Sequence, residues 1–199
     1  CPSLGVVKEA WPSEAGAAGW PRPFAFQALM PDAWLRERLC NETGKTEATI
    51  TLADLQALTS VSLSVDSTLE GIQLCQQLQT LSILSANMED RVPDLEIVGT
   101  LTNLTDLTIE GTVAGLSPLA GLTSLRRLFI EAPRLNGEIA SLAPLSGMHD
   151  LEELTLNFQQ ISDLSPLAGL TKLRVLSLWY NQVQDLTPLA GLTKLTNLD

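Results

Sequence analysis

The sequence predicts an α/β solenoid in which stacked repeats share one apolar core and one parallel sheet. The chain has 199 residues, of which 45% are hydrophobic and only 5% are aromatic. The motif LxxLxL recurs along it at intervals of 20 to 26 residues. Its first leucines are Leu58, Leu78, Leu104, Leu125, Leu151, Leu173 and Leu195. A period of this size indicates a leucine-rich repeat (LRR) solenoid.

Each repeat is expected to begin with a strand and to return through an irregular segment. The two leucines of LxL point inward, and neighbouring repeats must cover them because one unit cannot bury them alone. The later repeats return through LxPLAGL, which is long enough for one 3₁₀ turn. Ser117, Ser165 and Thr187 each precede a proline, so we expect them to be N-caps of these turns. The prediction is a concave parallel sheet of about six or seven strands with a convex side of 3₁₀ or irregular segments.

The composition divides the chain into three regions. Residues 1–26 are an N-terminal arm, residues 27–57 are a helical N-terminal cap, and residues 58–199 are the repeats, about six in number. In the cap, Trp34, Leu35 and Leu39 have helical spacing, and Thr51 is a candidate N-cap of a second helix. The chain stops on LTKLTNLD, the opening of another repeat, without a C-terminal cap. We therefore expect a longer protein, or an end shielded by packing or by a partner.

Two repeats are longer than their neighbours. One contains SANMEDRVPDLEIVG (residues 85–99) and the other EAPRLNGEIASLA (residues 131–143). Because the LxxL frame survives around both, each insertion should leave the frame at an edge of the sheet or on the convex side. They are either tolerated loop growth or binding loops.

The charge excludes some partner classes. A net charge of −11 and a pI of about 4.4 argue against nucleic acid, whose phosphates require lysine and arginine, and against docking on anionic lipid. No apolar run is long enough to span a membrane. The acidity favours solubility and a basic partner without proving either.

Catalytic patterns are missing from the sequence. His149 is the single histidine, and no phosphate-binding glycine loop is present. We therefore predict that the chain is not an enzyme and has no cofactor and no metal ion. An acidic belt could instead hold calcium, although a solvated face is the plainer interpretation. The belt consists of Glu110, Glu131, Asp150, Glu152 and Glu153.

Strand alternation predicts the recognition surface. The residues beside the inward leucines point to the concave face, and there they change from hydroxyl to charged to aromatic along the chain. Exposed aromatics rimmed by charge are typical of protein-binding sites. Phe158 and Tyr180 could instead pack on the next strand or seal the end. The candidate partner-binding residues are Arg127, Phe129, Glu131, Glu153, Asn157, Phe158, Trp179 and Tyr180.

The repeats resemble the internalin-like class of bacterial LRR proteins. The 22-residue unit LxxLxLxxNxIxDLxPLAGLTxL fits residues 151–195 through Ile161, Asp163, Asn181, Val183 and Asp185. The resemblance implies a bacterial secreted or surface protein whose concave sheet binds another protein, with no catalytic residues. One departure is the asparagine slot of the unit. Gln159 and Pro133 stand where Asn181 stands in the last repeat, which predicts irregular turns in the middle repeats.

The three cysteines are expected to differ in role. Cys75 shares a column with Leu101, Leu122, Met148, Leu170 and Leu192, which predicts a buried thiol. A disulfide between Cys1 and Cys40 would hold the arm over the cap in an exported protein. The alternatives are a lipid anchor on Cys1, as in a mature bacterial lipoprotein, and a chain boundary without meaning.

The function predicted from these observations is non-catalytic binding of a protein partner at the bacterial surface or outside the cell. Two other classes remain open. One is a glycan-binding module in which stacked aromatics hold a sugar. The other is a structural module that self-associates through its uncapped C-terminal repeat.

Overall fold

A computed structural model describes residues 27–64, 68–84, 91–92, 95–132 and 137–199. Its centre is one sheet of seven parallel strands, which lie side by side in chain order. The strands are β1 (Ser60–Ser64), β2 (Thr80–Leu84), β3 (Asp106–Glu110), β4 (Arg127–Glu131), β5 (Glu153–Asn157), β6 (Val175–Ser177) and β7 (Asn197–Leu198). This arrangement confirms the predicted LRR solenoid.

Alternation along the strands separates the core from the concave face. In β4, Leu128 and Ile130 are buried, and their neighbours on the same strand are not. The same pattern recurs in β5. The buried side chains form one continuous cluster from Met30 to Leu192. The core therefore runs the length of the solenoid, as stacking of units that cannot fold alone requires.

The Cys75 column is in the core, as predicted. Cys75 has no exposed surface, and its column mates are buried as well. Burial raises the pKa of the Cys75 thiol to about 12, so the thiol is neutral at physiological pH.

Two helices precede the sheet. Helix α1 (Ala33–Thr43) is capped at its N-terminus by Asp32, whose carboxylate accepts a hydrogen bond from the backbone N–H of Leu35. Helix α1 buries Leu35 and Leu39, whereas Trp34 is 72% exposed. Helix α2 (Leu52–Gln56) has Thr51 as its N-cap, as predicted, with a reciprocal capping box to Asp54. A third short helix, α3 (Leu95–Val98), lies in the first of the longer repeats.

The predicted hydroxyl caps of the 3₁₀ turns are wrong. The turns are present at Ser117–Leu119, Ser165–Leu167 and Thr187–Gly191, but the hydroxyl residue is their first helical residue and makes no capping bond. A leucine occupies the N-cap position in each. The backbone N–H of the hydroxyl residue therefore needs an acceptor from outside the turn.

Aspartates two residues upstream supply that acceptor in the last two repeats. Asp163 Oδ1 accepts from the Ser165 N–H at 2.8 Å, and Asp185 Oδ1 accepts from the Thr187 N–H at 2.8 Å. Hydrogen bonds from the side chain and backbone of Ser165 lower the pKa of Asp163, and Thr187 acts on Asp185 in the same way.

The predictions for the arm fall outside the part of the chain described. Residues 1–26 are not among the described residues, so a disulfide from Cys1 or a lipid anchor on it stays a prediction. Cys40 itself is buried on α1. No helix in the described ranges is long and apolar enough to cross a membrane.

Candidate functional site

The concave face is arranged in rows because the strands pair in parallel register. Each row contains one outward side chain from β3, one from β4 and one from β5. The three rows are Asp106–Arg127–Glu153, Thr108–Phe129–Thr155 and Glu110–Glu131–Asn157. Five of the predicted binding residues therefore lie side by side on two adjacent strands.

The first row alternates in charge. The Arg127 guanidinium donates from Nε to the Asp106 carboxylate, and Glu153 is paired with Arg127 on the other side by the strand register. An exposed ion pair of this kind contributes only about 0–1 kcal/mol to stability. The ion pair does mean that Arg127, the one cation of this row, already has a carboxylate partner within the protein.

Phe129 forms the apolar part of a shallow depression in the middle row. The depression has a volume of about 280 Å³ and is open to the concave side. Its other walls include Thr108, Thr155, Asp106 and Glu153. Phe129 is half-buried there, so an incoming apolar group can contact it only between polar side chains.

The third row places two carboxylates directly opposite each other. Glu110 pairs with Glu131 in the β3–β4 register. Neither forms an ion pair with a described cation, and Glu131 accepts a long hydrogen bond of 3.4 Å from Asn157 Nδ2. Like charges at directly opposed positions destabilise a sheet.

Asn157 positions the turn that follows β6. Its Oδ1 atom accepts from Ser177 Oγ at 2.9 Å and from the Trp179 N–H at 3.0 Å. The side chain of Asn157 therefore takes the place of a β5 backbone carbonyl as the acceptor for the Trp179 N–H. This side chain acts through Trp179 and is not itself a large contact surface.

Three rings form an aromatic cluster at the edge where the strands end. The aromatic cluster consists of Phe158, Trp179 and Tyr180. Ring centroids are 4.8 Å apart for Trp179 and Tyr180, 5.2 Å for Phe158 and Tyr180, and 5.5 Å for Phe158 and Trp179. Trp179 and Tyr180 are each 58% exposed, while Phe158 is half-buried. The Phe158 ring thus packs on the next repeat, while its role in binding stays a prediction.

The backbone that presents these rings is unusual. Phe158 and Tyr180 have positive φ angles of 60° and 55°, a conformation that non-glycine residues adopt rarely. They occupy equivalent positions in adjacent repeats, and the Phe158 N–H donates to the Trp179 carbonyl at 2.8 Å. The same turn geometry in both repeats aligns the two rings, which stack with an interplanar angle of 25°.

Each of the two residues with positive φ is followed by a residue whose side-chain amide hydrogen-bonds to the backbone of the turn. In the last repeat, Asn181 Oδ1 accepts from the Ile161 N–H at 3.0 Å. Its Nδ2 atom donates to the Leu156 and Leu178 carbonyls at 2.7 and 2.8 Å.

Gln159 makes the corresponding hydrogen bonds to the backbone one repeat earlier. It is 5% exposed, and its Oε1 and Nε2 atoms bond the Ile139 N–H and the Asn157 carbonyl at 3.2 and 3.0 Å. The irregular turn predicted at Gln159 is therefore wrong, because the longer glutamine side chain still reaches both backbone groups. Pro133 lies outside the described residues.

The second insertion borders the aromatic cluster. The Gly137 N–H donates to the Phe158 carbonyl at 3.0 Å, and Gln160 Nε2 donates to the Gly137 carbonyl at 2.9 Å. A Cβ atom at residue 137 would lie 2.1 Å from the Phe158 carbonyl oxygen. Only glycine permits this approach. The two hydrogen bonds place Gly137 beside the end of β5, which agrees with the first of the two predicted positions, an edge of the sheet or the convex side.

The first insertion reaches the second across the repeat between them. Arg91 forms a parallel bridge with Thr112, and its guanidinium donates to both carboxylate oxygens of Glu138 at 2.9 and 3.2 Å. Sequence reasoning identified both insertions and missed this ion pair, because no spacing rule joins residues 47 positions apart.

The predicted acidic belt is divided between two places. Asp150 is engaged by Lys172 at 2.5 Å and Glu152 by Arg126 at 3.7 Å, in the segments that lead into the strands. Glu110 and Glu131 lie at the opposite ends of the strands. His149 is exposed on the turn before β5. Across the described ranges, no group of three or more His, Cys, Asp or Glu residues could hold a metal ion.

Comparisons with known proteins support the fold. No protein-family model and no curated protein sequence matches the chain. Internalin C2 of Listeria monocytogenes is 24% identical in sequence, and the match covers 92% of this chain and 99% of that one with a TM-score of 0.52. A second internalin of that species, inlF, is 24% identical over 90% of this chain and 65% of that one, with a TM-score of 0.53.

An LRR ectodomain from a plant is similar as well. It belongs to the membrane receptor kinase GASSHO1/SCHENGEN3 of Arabidopsis thaliana and was solved in complex with CASPARIAN STRIP INTEGRITY FACTOR 2. It is 17% identical over 75% of this chain and 19% of that one, with a TM-score of 0.56. At these identities the likeness establishes the LRR fold, and the internalins among the neighbours confirm the expected structural resemblance.

Proposed function

We propose that this chain is a non-catalytic module that binds a protein partner through the aromatic cluster and the adjoining concave rows. The observation that carries the proposal is the exposure of Trp179 and Tyr180, each 58% exposed although both pack against Phe158. Tryptophan and tyrosine are the residue types most enriched in interface hot spots.

The energetics suit an interface. An aromatic side chain buries about 150–250 Å², so covering the exposed part of each ring contributes about 2–4 kcal/mol at 25 cal/mol per Å², before the cost of association is subtracted. The hydrogen bonds of Asn157 and Asn181 hold the backbone that carries the rings. A surface that is already ordered loses little conformational entropy on binding.

The structural resemblance to internalins supports a location outside the bacterial cell or at its surface. On this proposal the module belongs to an exported bacterial protein and meets its partner outside the cell or at the cell surface. Its fold neighbours include an LRR ectodomain solved with a bound factor, which supports a role in binding rather than in catalysis.

The test is affinity capture from bacterial and host surface extracts with a matched pair of variants. One variant is Trp179→Ser/Tyr180→Asn, in which asparagine tolerates the left-handed backbone of residue 180. The control is Trp34→Ser, which removes an exposed tryptophan from α1, in the segment that precedes the first strand. Circular dichroism must first show unchanged folding of both.

We expect a protein captured by the wild-type chain and by the Trp34→Ser variant, with affinity reduced roughly 30-fold or more in the double variant. Equal capture by all three chains would contradict the proposal. Binding of soluble oligosaccharides that is lost in the double variant and insensitive to salt would replace it with a glycan-binding function. Concentration-dependent dimerisation lost in the same variant would indicate self-association.

A further inference from the structure

We infer that the partner presents a basic segment, with arginine or lysine side chains lying between the Glu110–Glu131 carboxylates and the ring of Trp179. This inference rests on the proposed function, because it specifies the chemistry of the partner at the same surface.

The first argument is charge complementarity. In the three central rows the carboxylates of Asp106, Glu110, Glu131 and Glu153 face one cation, Arg127. That cation is already engaged by Asp106. Glu110 and Glu131 are left opposed to each other without a described cation, so a cation supplied by a partner would relieve their repulsion.

The second argument is the position of the carboxylates relative to the aromatic cluster. Glu131 pairs with Asn157 in the strand register, and Asn157 in turn accepts from the Trp179 N–H. At about 4.8 Å per strand, Glu131 and Trp179 are roughly 10 Å apart across the row. An extended peptide rises about 3.3 Å per residue, so three or four residues span this distance.

The third argument concerns the type of cation. An arginine guanidinium can stack on an indole ring while it donates to a carboxylate, because it is planar and has several N–H donors. The exposed Trp179 ring follows β6 beside the row that contains Glu131. Glu131 has no ion pair with a cation in the described part of the chain, so the two side chains offer both contacts to one basic segment. A neutral or acidic segment would leave the two carboxylates desolvated and unpaired, at an energetic cost.

The test is selection of phage-displayed random dodecapeptides on the immobilised folded chain, followed by affinity measurements with the selected peptides. The variant is Glu110→Gln/Glu131→Gln. Its control is Glu37→Gln/Glu70→Gln, which removes two charges at exposed positions on α1 and ahead of β2. The Trp179→Ser/Tyr180→Asn variant is measured in parallel.

We expect the selected peptides to be enriched in arginine and lysine. Their affinity should fall about tenfold or more in the Glu110→Gln/Glu131→Gln variant and on raising salt, and should be unchanged in the Glu37→Gln/Glu70→Gln control. Peptides that need Trp179 and Tyr180 but show no basic enrichment and no response at Glu110 and Glu131 would overturn the inference while leaving the proposed function intact. Absence of peptides that depend on either pair would overturn both.

Discussion

The buried amide of Gln159 shows how one side chain can maintain a turn. It satisfies the buried Ile139 N–H and the partly buried Asn157 carbonyl, which belong to different repeats. Buried groups left unsatisfied cost more than an average hydrogen bond contributes. The residue also directs the turn that presents Phe158, so its effect extends to the aromatic cluster.

We predict that Gln159→Ala lowers the free energy of unfolding by about 1–3 kcal/mol, because one buried and one partly buried backbone group lose their hydrogen bonds. Urea denaturation followed by circular dichroism measures this. Gln182→Ala, at an exposed position after the next turn, serves as the control. Equal stability of the two variants would show that the amide of Gln159 is dispensable.

Single residues were predictable from sequence where a periodic rule applied. The inward leucines and the outward positions such as Arg127 and Glu153 follow from alternation alone. The bonds of Gln159 were not predictable, because they depend on the backbone geometry of two repeats. The exposure of Trp34 was also missed, because helical spacing identifies a helix without saying which of its faces is covered.

The 3₁₀ turns show how an element can differ from its sequence expectation in detail. Proline after Ser165 and Thr187 correctly predicted a turn. The position of the cap was wrong, because the hydroxyl residue is already helical and an upstream aspartate accepts from its N–H. The aspartate of the repeat unit is evident in the sequence, but its role as the acceptor for the first N–H of the turn follows only from the structure.

A pH dependence follows from these carboxylates. Hydrogen bonds lower the pKa of Asp163 and of Asp185 in the folded protein. Their stabilising contribution is therefore present above the unfolded pKa of about 3.9, and it is lost as the pH falls through the lower folded values. An asparagine at each position would keep an acceptor oxygen and remove the titration.

We expect Asp163→Asn/Asp185→Asn to show a shallower loss of stability below about pH 4 than the wild-type chain. Urea midpoints measured between neutral and strongly acidic pH check this. The midpoint of each chain at neutral pH, where both aspartates of the wild type are ionised, serves as the reference for its slope. A steeper slope in the double asparagine variant would contradict the assignment.

At the scale of the whole molecule, stability and recognition depend on different residues of the same strands. Leu154 is fully buried and pairs laterally with Leu128 and Leu176. Its neighbour Glu153 is exposed on the concave face. A substitution at a buried strand position should therefore affect stability, and a substitution at an exposed position on the concave face should affect binding.

We predict that Leu154→Ala lowers the free energy of unfolding by about 2–5 kcal/mol through lost burial and a residual cavity. Glu153→Ala should stay within about 0.5 kcal/mol of the wild type. Chemical denaturation of both variants provides the comparison. A loss of several kcal/mol in Glu153→Ala would contradict the division of the strand into an inner and an outer face.

The repeated turn has a consequence for descent. An aromatic residue with positive φ is followed by an amide residue that hydrogen-bonds to the turn backbone at Phe158–Gln159 and again at Tyr180–Asn181. Unequal crossing-over that copied one repeat would copy three features together: the ring, the amide that holds its turn, and the aspartate that accepts from the next 3₁₀ turn. The length of the aromatic stack could thus change in one genetic event, and point mutation could then diversify the copies separately.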